Sequence, residues 1–280
     1  MSNYGIDDVY EPEGELISVK NVSFRYDSID NRSENDAIFE DLNFNIYSGE
    51  FICVMGESGC GKSTLLNILA GFEKPSSGQV FLEDKELAGI DKDRGVVFQK
   101  PSLYGWYSVR KNIEFGPKVN NVPKNIIDEK VNYLLDRVGL SGKGEKKVFE
   151  LSGGMKQRAA IARALINEPK ILLMDEPFGA LDALTREEMQ KLIREIWYTT
   201  KNTIFFITHD VDEVLQLATR VIVLGKNPGR IVADLPLNFS RDLIEEKSNK
   251  RVYTEEYFKY REKLLSLISI RDTRPIETII

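Results

Sequence analysis

The sequence contains one histidine and two cysteines in 280 residues. Cys53 and Cys60 cannot build a disulfide framework, and with no further Cys or His beside them they lack the spacing of a zinc site, so a reducing compartment fits best. Long apolar runs are also missing. The longest are five residues, such as Phe51 to Met55, against the ~18 to 20 needed to span a bilayer as a helix, so the chain is not expected to cross a membrane by itself. Its beginning carries Asp7, Asp8, Glu11, Glu13 and Glu15 in place of the basic and apolar regions of a secretory signal, which argues against export. There is no excess of basic charge: 38 Lys and Arg against 44 Asp and Glu give a net charge of −6, unsuited to a nucleic-acid partner. The scarcity of histidine sharpens one question. If the chemistry involves protons or phosphate, His209 is either idle or indispensable.

What is present is a globular composition, 42% hydrophobic and 29% charged, with room for one large domain or two ordinary ones. Leu16 to Tyr26 reads as a strand, and Asp27 to Asp36 as a polar loop. Leu42, Phe44 and Ile46 alternate with asparagines, the period of a strand with one wet face. Phe51 to Met55 reads as a strand buried on both faces, and Ser63 to Ala70 as a helix. The same alternation returns with Ile171 to Met174 as strand, Ala183 to Thr199 as amphipathic helix and Thr203 to Thr208 as strand. Such order implies an α/β fold with a mostly parallel sheet and a site at the strands' carboxyl ends. Residues 101 to 168 read as an inserted helical subdomain. Past about residue 240, Tyr257, Tyr260, Leu264, Leu265 and Ile268 mark one more amphipathic helix.

Three strings carry chemistry. Gly56-Glu57-Ser58-Gly59-Cys60-Gly61-Lys62-Ser63-Thr64 is a phosphate-binding loop between a buried strand and a helix N-terminus, where free N–H groups and the helix dipole face an anion. Lys62 would reach the β- and γ-phosphates and Ser63 would ligate Mg²⁺. Asp175 and Glu176 end an apolar strand, as expected of a Walker B pair: Asp175 for the metal, Glu176 to orient or deprotonate water. Leu151-Ser152-Gly153-Gly154-Met-Lys-Gln-Arg158 precedes an alanine-rich helix, Ala159 to Asn167, and offers a second anion-binding helix start that one chain does not need for one nucleotide.

With these strings in order, the sequence resembles the ATP-binding subunits of ABC transporters over about residues 16 to 235. Further matches are Tyr26 for adenine stacking, with Tyr10 and Phe24 as rivals, Gln99 in Val-Val-Phe-Gln, Asp182 in Gly179-Ala-Leu-Asp182, and His209 in Ile-Thr-His-Asp. The resemblance implies a P-loop NTPase core of mostly parallel sheet with an N-terminal antiparallel β subdomain and an inserted helical subdomain, together forming a cassette at 1–240 with a tail at 241–280. It implies ATP and Mg²⁺, the metal touched by Ser63, Gln99 and Asp175. In a head-to-tail dimer, Ser152, Gly153 and Gly154 of one subunit would close over ATP held by the other. Catalysis would fall to Glu176, His209, Gln99 and Lys62. Phe178 to Arg186, Pro228 to Asp234 and the aromatic segment Leu103 to Val109 resemble the importer branch for nitrate, taurine, aliphatic sulfonates and bicarbonate, or for pyrimidine precursors, with an ABC exporter ATPase, and after it a non-transport ABC ATPase acting on nucleic acid, as the alternatives. The implied partners are a second ATP-binding subunit, integral membrane permease subunits and, indirectly, a solute-binding protein. The implied place is the cytoplasmic face of the membrane. Cys60, inside the loop, is expected to block nucleotide binding when alkylated, with Cys53 inert.

Overall fold

The computed structural model describes residues 13–26, 37–226, 228–245 and 254–269. The polar loop expected at Asp27 to Asp36, Tyr10 and the acidic residues up to Glu11 lie outside them. The chain divides into two compact units: Met1–Lys62 with Pro75–Leu87 and Thr208–Ile280, and Ser63–Lys74 with Ala88–Ile207.

The first unit contains an antiparallel sheet made by β1 (Glu13–Arg25), β2 (Ala37–Ser48), β4 (Ser77–Leu82) and β5 (Lys85–Glu86), in the order β2-β1-β4-β5. Alternation in β2 buries Phe39, Leu42, Phe44 and Ile46 and leaves Asp41 and Asn43 exposed, so one face is core and the other wet. Around the register shift between Val19 and Val22, Asn21 and Asp41 both adopt left-handed φ (51° and 52°), and the Asn21 amide donates to Asp41 Oδ1 at 2.8 Å. The same unit holds β3 (Phe51–Gly56), wholly buried and parallel to β9 (Arg220–Leu224), and β10 (Ile231–Pro236), which pairs antiparallel on β9. Glu50, at the start of β3, is buried against Arg220, which also forks onto Asp234. The helices of this unit are α7 (Val211–Leu217), α8 (Phe239–Glu245) and α9 (Glu255–Ser269). In α9 the buried side chains are Tyr257, Leu264 and Leu267. Leu265, expected on the apolar face, is instead 42% exposed, because a step of three from Leu264 stays on the buried side and a step of one leaves it.

The second unit is built on three parallel strands in the order β8-β7-β6, with β6 (Arg94–Val97), β7 (Ile171–Asp175) and β8 (Thr203–Ile207). Residues 203 to 207 are buried throughout, as both faces are covered. Before β7 run α2 (Val109–Ile113), α3 (Phe115–Val119), α4 (Lys124–Arg137) and α5 (Gly153–Leu165), and α6 (Ala183–Thr200) links β7 to β8. α5 begins at Gly153, six residues before the expected Ala159. The reason is its cap: the Ser152 hydroxyl accepts from Met155 N–H at 3.3 Å, and first-turn N–H groups need no intrahelical partner, so the glycines are tolerated there.

Candidate functional site

In the first unit the phosphate loop follows β3 directly. Gly56 pairs in register with Leu224, and a Cβ on it would sit 2.3 Å from the Leu224 carbonyl oxygen, so only glycine fits. Gly61, at φ +97°, would drive a Cβ to 2.6 Å from the Phe39 ring. Gly59 is also left-handed, at φ +85°. The loop closes on itself: Cys60 N–H donates to the Glu57 carbonyl at 3.3 Å, and Lys62 Nζ donates to the carbonyls of Gly56 (2.8 Å) and Glu57 (2.9 Å). The ammonium is thus held under the loop as a fixed charge. Ser58 and Gly59 face solvent, while Cys60 is fully buried with its sulfur 3.8 Å from Lys62 Nζ. Burial pushes the Cys60 thiol above its ordinary range, and the neighbouring ammonium only partly offsets this. The expectation of an alkylatable loop thiol is corrected on that ground: the sulfur points inward.

α1 (Lys62–Ala70) starts at the end of the loop. In the second unit, Ser63 Oγ donates to Asp175 Oδ1 at 3.1 Å, joining the helix start to the end of β7. Glu176 follows at φ +40°, a left-handed backbone for a non-glycine residue, fixed by its N–H on the Ile207 carbonyl (3.0 Å) and by Gly179 N–H on its own carbonyl (3.1 Å). Gln99, exposed just beyond β6, places Nε2 3.5 Å from Glu176 Oε2. Parallel pairing of β6 with β7 brings Gln99, Asp175 and Glu176 to one end of this sheet. Ser63 and Asp175 offer a hydroxyl and a carboxylate, the hard oxygen donors Mg²⁺ takes, and no cluster of three or more His, Cys, Asp or Glu exists among the described residues. That donor set fits a cation that keeps most of its shell from water and phosphate.

Asp182 caps α6, accepting from Thr185 N–H (3.0 Å) and Thr185 Oγ1 (2.8 Å), and these bonds hold its carboxyl below the ordinary range. Sequence reasoning missed Arg186, which donates to the Leu181 carbonyl at 3.2 Å and so steadies the same turn. Ser152 and Gly153 are exposed at the head of α5, and Gly154 is buried with its would-be Cβ 2.4 Å from Thr185 Cγ2. In the first unit, Tyr26 is 58% exposed and stands edge-on to Phe24 at 4.9 Å, whereas Phe24 is buried, which removes Phe24 as the stacking candidate. His209 is exposed between β8 and α7. Lys226 was also missed. It lies over Gly59 with Nζ 3.9 Å from Glu57 Oε2, a contact with no local signal in the sequence. In the aromatic segment, Tyr104 packs against Phe115 at 4.8 Å with the rings tilted by 52° and lies under the Arg163 guanidinium, while Trp106 is 71% exposed beside it.

The glycine-rich loop after β3 in the first unit and, in the second, the Ser63–Asp175 pair with a carboxylate at the strand end are each features of nucleotide hydrolases, and comparison with known proteins makes the class specific. The family model for ABC transporters matches residues 39–179. The taurine import ATP-binding protein TauB of Roseobacter denitrificans is 45% identical over 252 residues, covering 90% of this chain and 93% of that one. The nitrate import ATP-binding protein NrtD of Synechocystis sp. is 45% identical over 244 residues, 86% of this chain and 91% of that one. Among solved structures, the ATP-binding cassette MJ0796, in a dimeric post-hydrolysis state with ADP and Pi, superposes with a TM-score of 0.68 at 30% identity, covering 80% of this chain and 99% of that one. CbiO1 of Clostridium perfringens, part of the transporter complex cbiONQ, gives 0.71 at 28% identity, 90% of this chain and all of that one. This chain belongs to the ABC transporter family as one of its ATP-binding subunits.

Proposed function

We infer that this chain hydrolyses ATP to drive an importer for a small solute of the taurine, sulfonate or nitrate kind. The observation that carries the reading is the Ser63–Asp175 bond with Glu176 fixed beside it, in a chain nearly half identical to import subunits over nine-tenths of its length. Import of taurine and of nitrate is what those relatives are named for, and it is the basis for the solute class here.

Lys62 and the loop N–H groups bind the phosphates, and Tyr26 stacks on adenine. Ser63 and Asp175, with Gln99 at the edge, would hold Mg²⁺, which when bound neutralises charge on the phosphates. Glu176 takes the proton of the attacking water, and His209 donates to the γ-phosphate and helps hold that water. Ser152, Gly153 and Gly154 of a second subunit close over the nucleotide, and the turn containing Asp182 lies at that contact. The exposed start of α5 supports this, since a capped N-terminus with two glycines is suited to an anion from outside the chain. The exposed Trp106 with Tyr104, Tyr107 and Phe115 is suited to a permease helix. No described helix is long and apolar enough to cross a membrane, so membrane attachment at the cytoplasmic face rests on permease subunits, with a solute-binding protein supplying cargo on the other side.

The test is the complex reconstituted in proteoliposomes with its permease subunits and binding protein. ATP hydrolysis should rise with one solute among taurine, alkanesulfonates, nitrate, bicarbonate and pyrimidines, with inward accumulation of that solute. ATP-driven movement in the opposite direction would overturn the importer reading.

A further inference from the structure

His209 stands between two residues whose side chains are committed. Thr208, 2% exposed, donates through Oγ1 to Glu213 Oε2 over 2.5 Å and accepts from Asp210 N–H at 3.0 Å. Asp210 caps α7, its Oδ1 accepting from the N–H groups of Asp212 (2.8 Å) and Glu213 (3.3 Å). The imidazole is exposed, and its backbone is fixed on either side by these bonds. α7 has seven residues, too short to be rigid by its own hydrogen bonds. Its first turn is capped by Asp210 and buried at Val211 and Glu213, and the half-buried Asp212 carries a further anchor.

That anchor comes from α9. The Tyr257 hydroxyl donates to Asp212 Oδ1 at 2.8 Å, and Arg261 reaches both carboxylate oxygens, Nε to Oδ1 at 3.1 Å and Nη2 to Oδ2 at 3.4 Å. Tyr257 and Arg261 are four apart on one helix, hence on one face. A lone surface ion pair holds little. Here the clamp is backed by a docked helix: Tyr257, Leu264 and Leu267 are buried, α9 packs on α7 and β9, and the Phe239 ring stands edge-on to Tyr257 and Tyr260 at 5.6 and 5.5 Å.

We propose that α9 is the positioning element for His209. Tyr257 and Arg261 hold Asp212, Asp212 fixes the first turn of α7, and through it Asp210 and Glu213 pin the backbone on both sides of the imidazole. Tyr257 and Arg261 act through His209, by way of Asp212. The effect on rate rests on the role given above to His209, whereas the effect on the ring does not.

The single histidine makes the test direct, because in full-length protein labelled at histidine and freed of any tag the ring correlations in an NMR spectrum come from one residue. Arg261→Ala and Tyr257→Phe should each shift or broaden that signal and lower kcat by about threefold to tenfold, with KM for ATP within about twofold, as misplacement of a catalytic group by a remote change does. Arg261→Lys should restore part of both. Should Arg261→Ala fail to fold, Tyr257→Phe, which removes one hydroxyl, carries the comparison. A ring signal that superposes on the parent's in both variants overturns the proposal, whereas a moved signal with unchanged kcat overturns the catalytic role of His209. Full hydrolysis by His209→Ala would likewise overturn the catalytic role of His209, a failure told apart because the ring signal is read without turnover.

Discussion

The Ser63 hydroxyl and Asp175 Oδ1 lie 3.1 Å apart across 112 residues of sequence, so the start of α1 and the end of β7 present their oxygens together. A hydroxyl and a carboxylate in that relation orient one another before any cation arrives. Asp175→Asn keeps the hydrogen bond and removes the charge. It is expected to weaken Mg²⁺ by at least about tenfold, read as a rightward shift in a Mg²⁺ titration of ATPase rate, with chelation abolishing activity in both proteins. An unshifted titration would remove Asp175 from the metal site.

Cys60 is enclosed and its thiol pushed up by burial, and Cys53 is buried with its thiol pushed up further. The thiolate is the reactive form, so both should react with maleimide only on the timescale of unfolding. Native protein is expected to take up no label at neutral pH while urea-unfolded protein takes up two, matching its two cysteines. Rapid labelling of the folded chain would contradict the enclosed loop.

Tyr26 is exposed while Phe24 behind it is core. Stacking on a base is worth about 1 to 3 kcal/mol, so Tyr26→Ala should raise KM for ATP by about 5- to 150-fold with kcat little changed, and Tyr26→Trp should keep the affinity. Equal affinity of the alanine variant, measured with a fluorescent ATP analogue, would exclude the stacking role.

Glu50 is buried against Arg220, Nη1 lying 3.3 Å from Oε1, and burial raises its carboxyl above the ordinary value of 4.5. A raised folded pKa means this group's stabilising contribution is complete below 4.5 and declines as pH rises through the folded value. Arg220 offsets that decline. Arg220→Met is therefore expected to cost about 3 to 5 kcal/mol near pH 7, with a smaller deficit near pH 4, measured by urea unfolding at both. A deficit independent of pH would show that the carboxylate is not what Arg220 compensates.

How much of this was legible in the sequence depended on whether a function lies in one stretch of chain. The glycine-rich loop was, because its three glycines and Lys62 lie in one string between a strand and a helix. So were the places of Asp175 and Ser63, since each ends or begins an element with a clear period, whereas the hydrogen bond between them spans 112 residues and was not. The start of α5 was not, because Gly153 and Gly154 lower helix propensity while Ser152 caps, and the cap prevails. Cys60 misled because a loop residue reads as exposed, whereas the wrap over Lys62 turns its sulfur inward. The Asp212–Arg261 contact spans 49 residues and leaves no local pattern, so only three-dimensional structure reveals it.

In the proposed function hydrolysis turns on Glu176, and Glu176→Gln keeps its shape while removing its basicity. The direct measurement is phosphate release alongside ATP binding and particle mass for the parent and this variant. Turnover should fall by about 10²- to 10⁴-fold, while the variant still binds ATP and accumulates as a nucleotide-bound dimer. Undiminished phosphate release by Glu176→Gln would contradict the account of this chain as an ATPase working through that carboxylate.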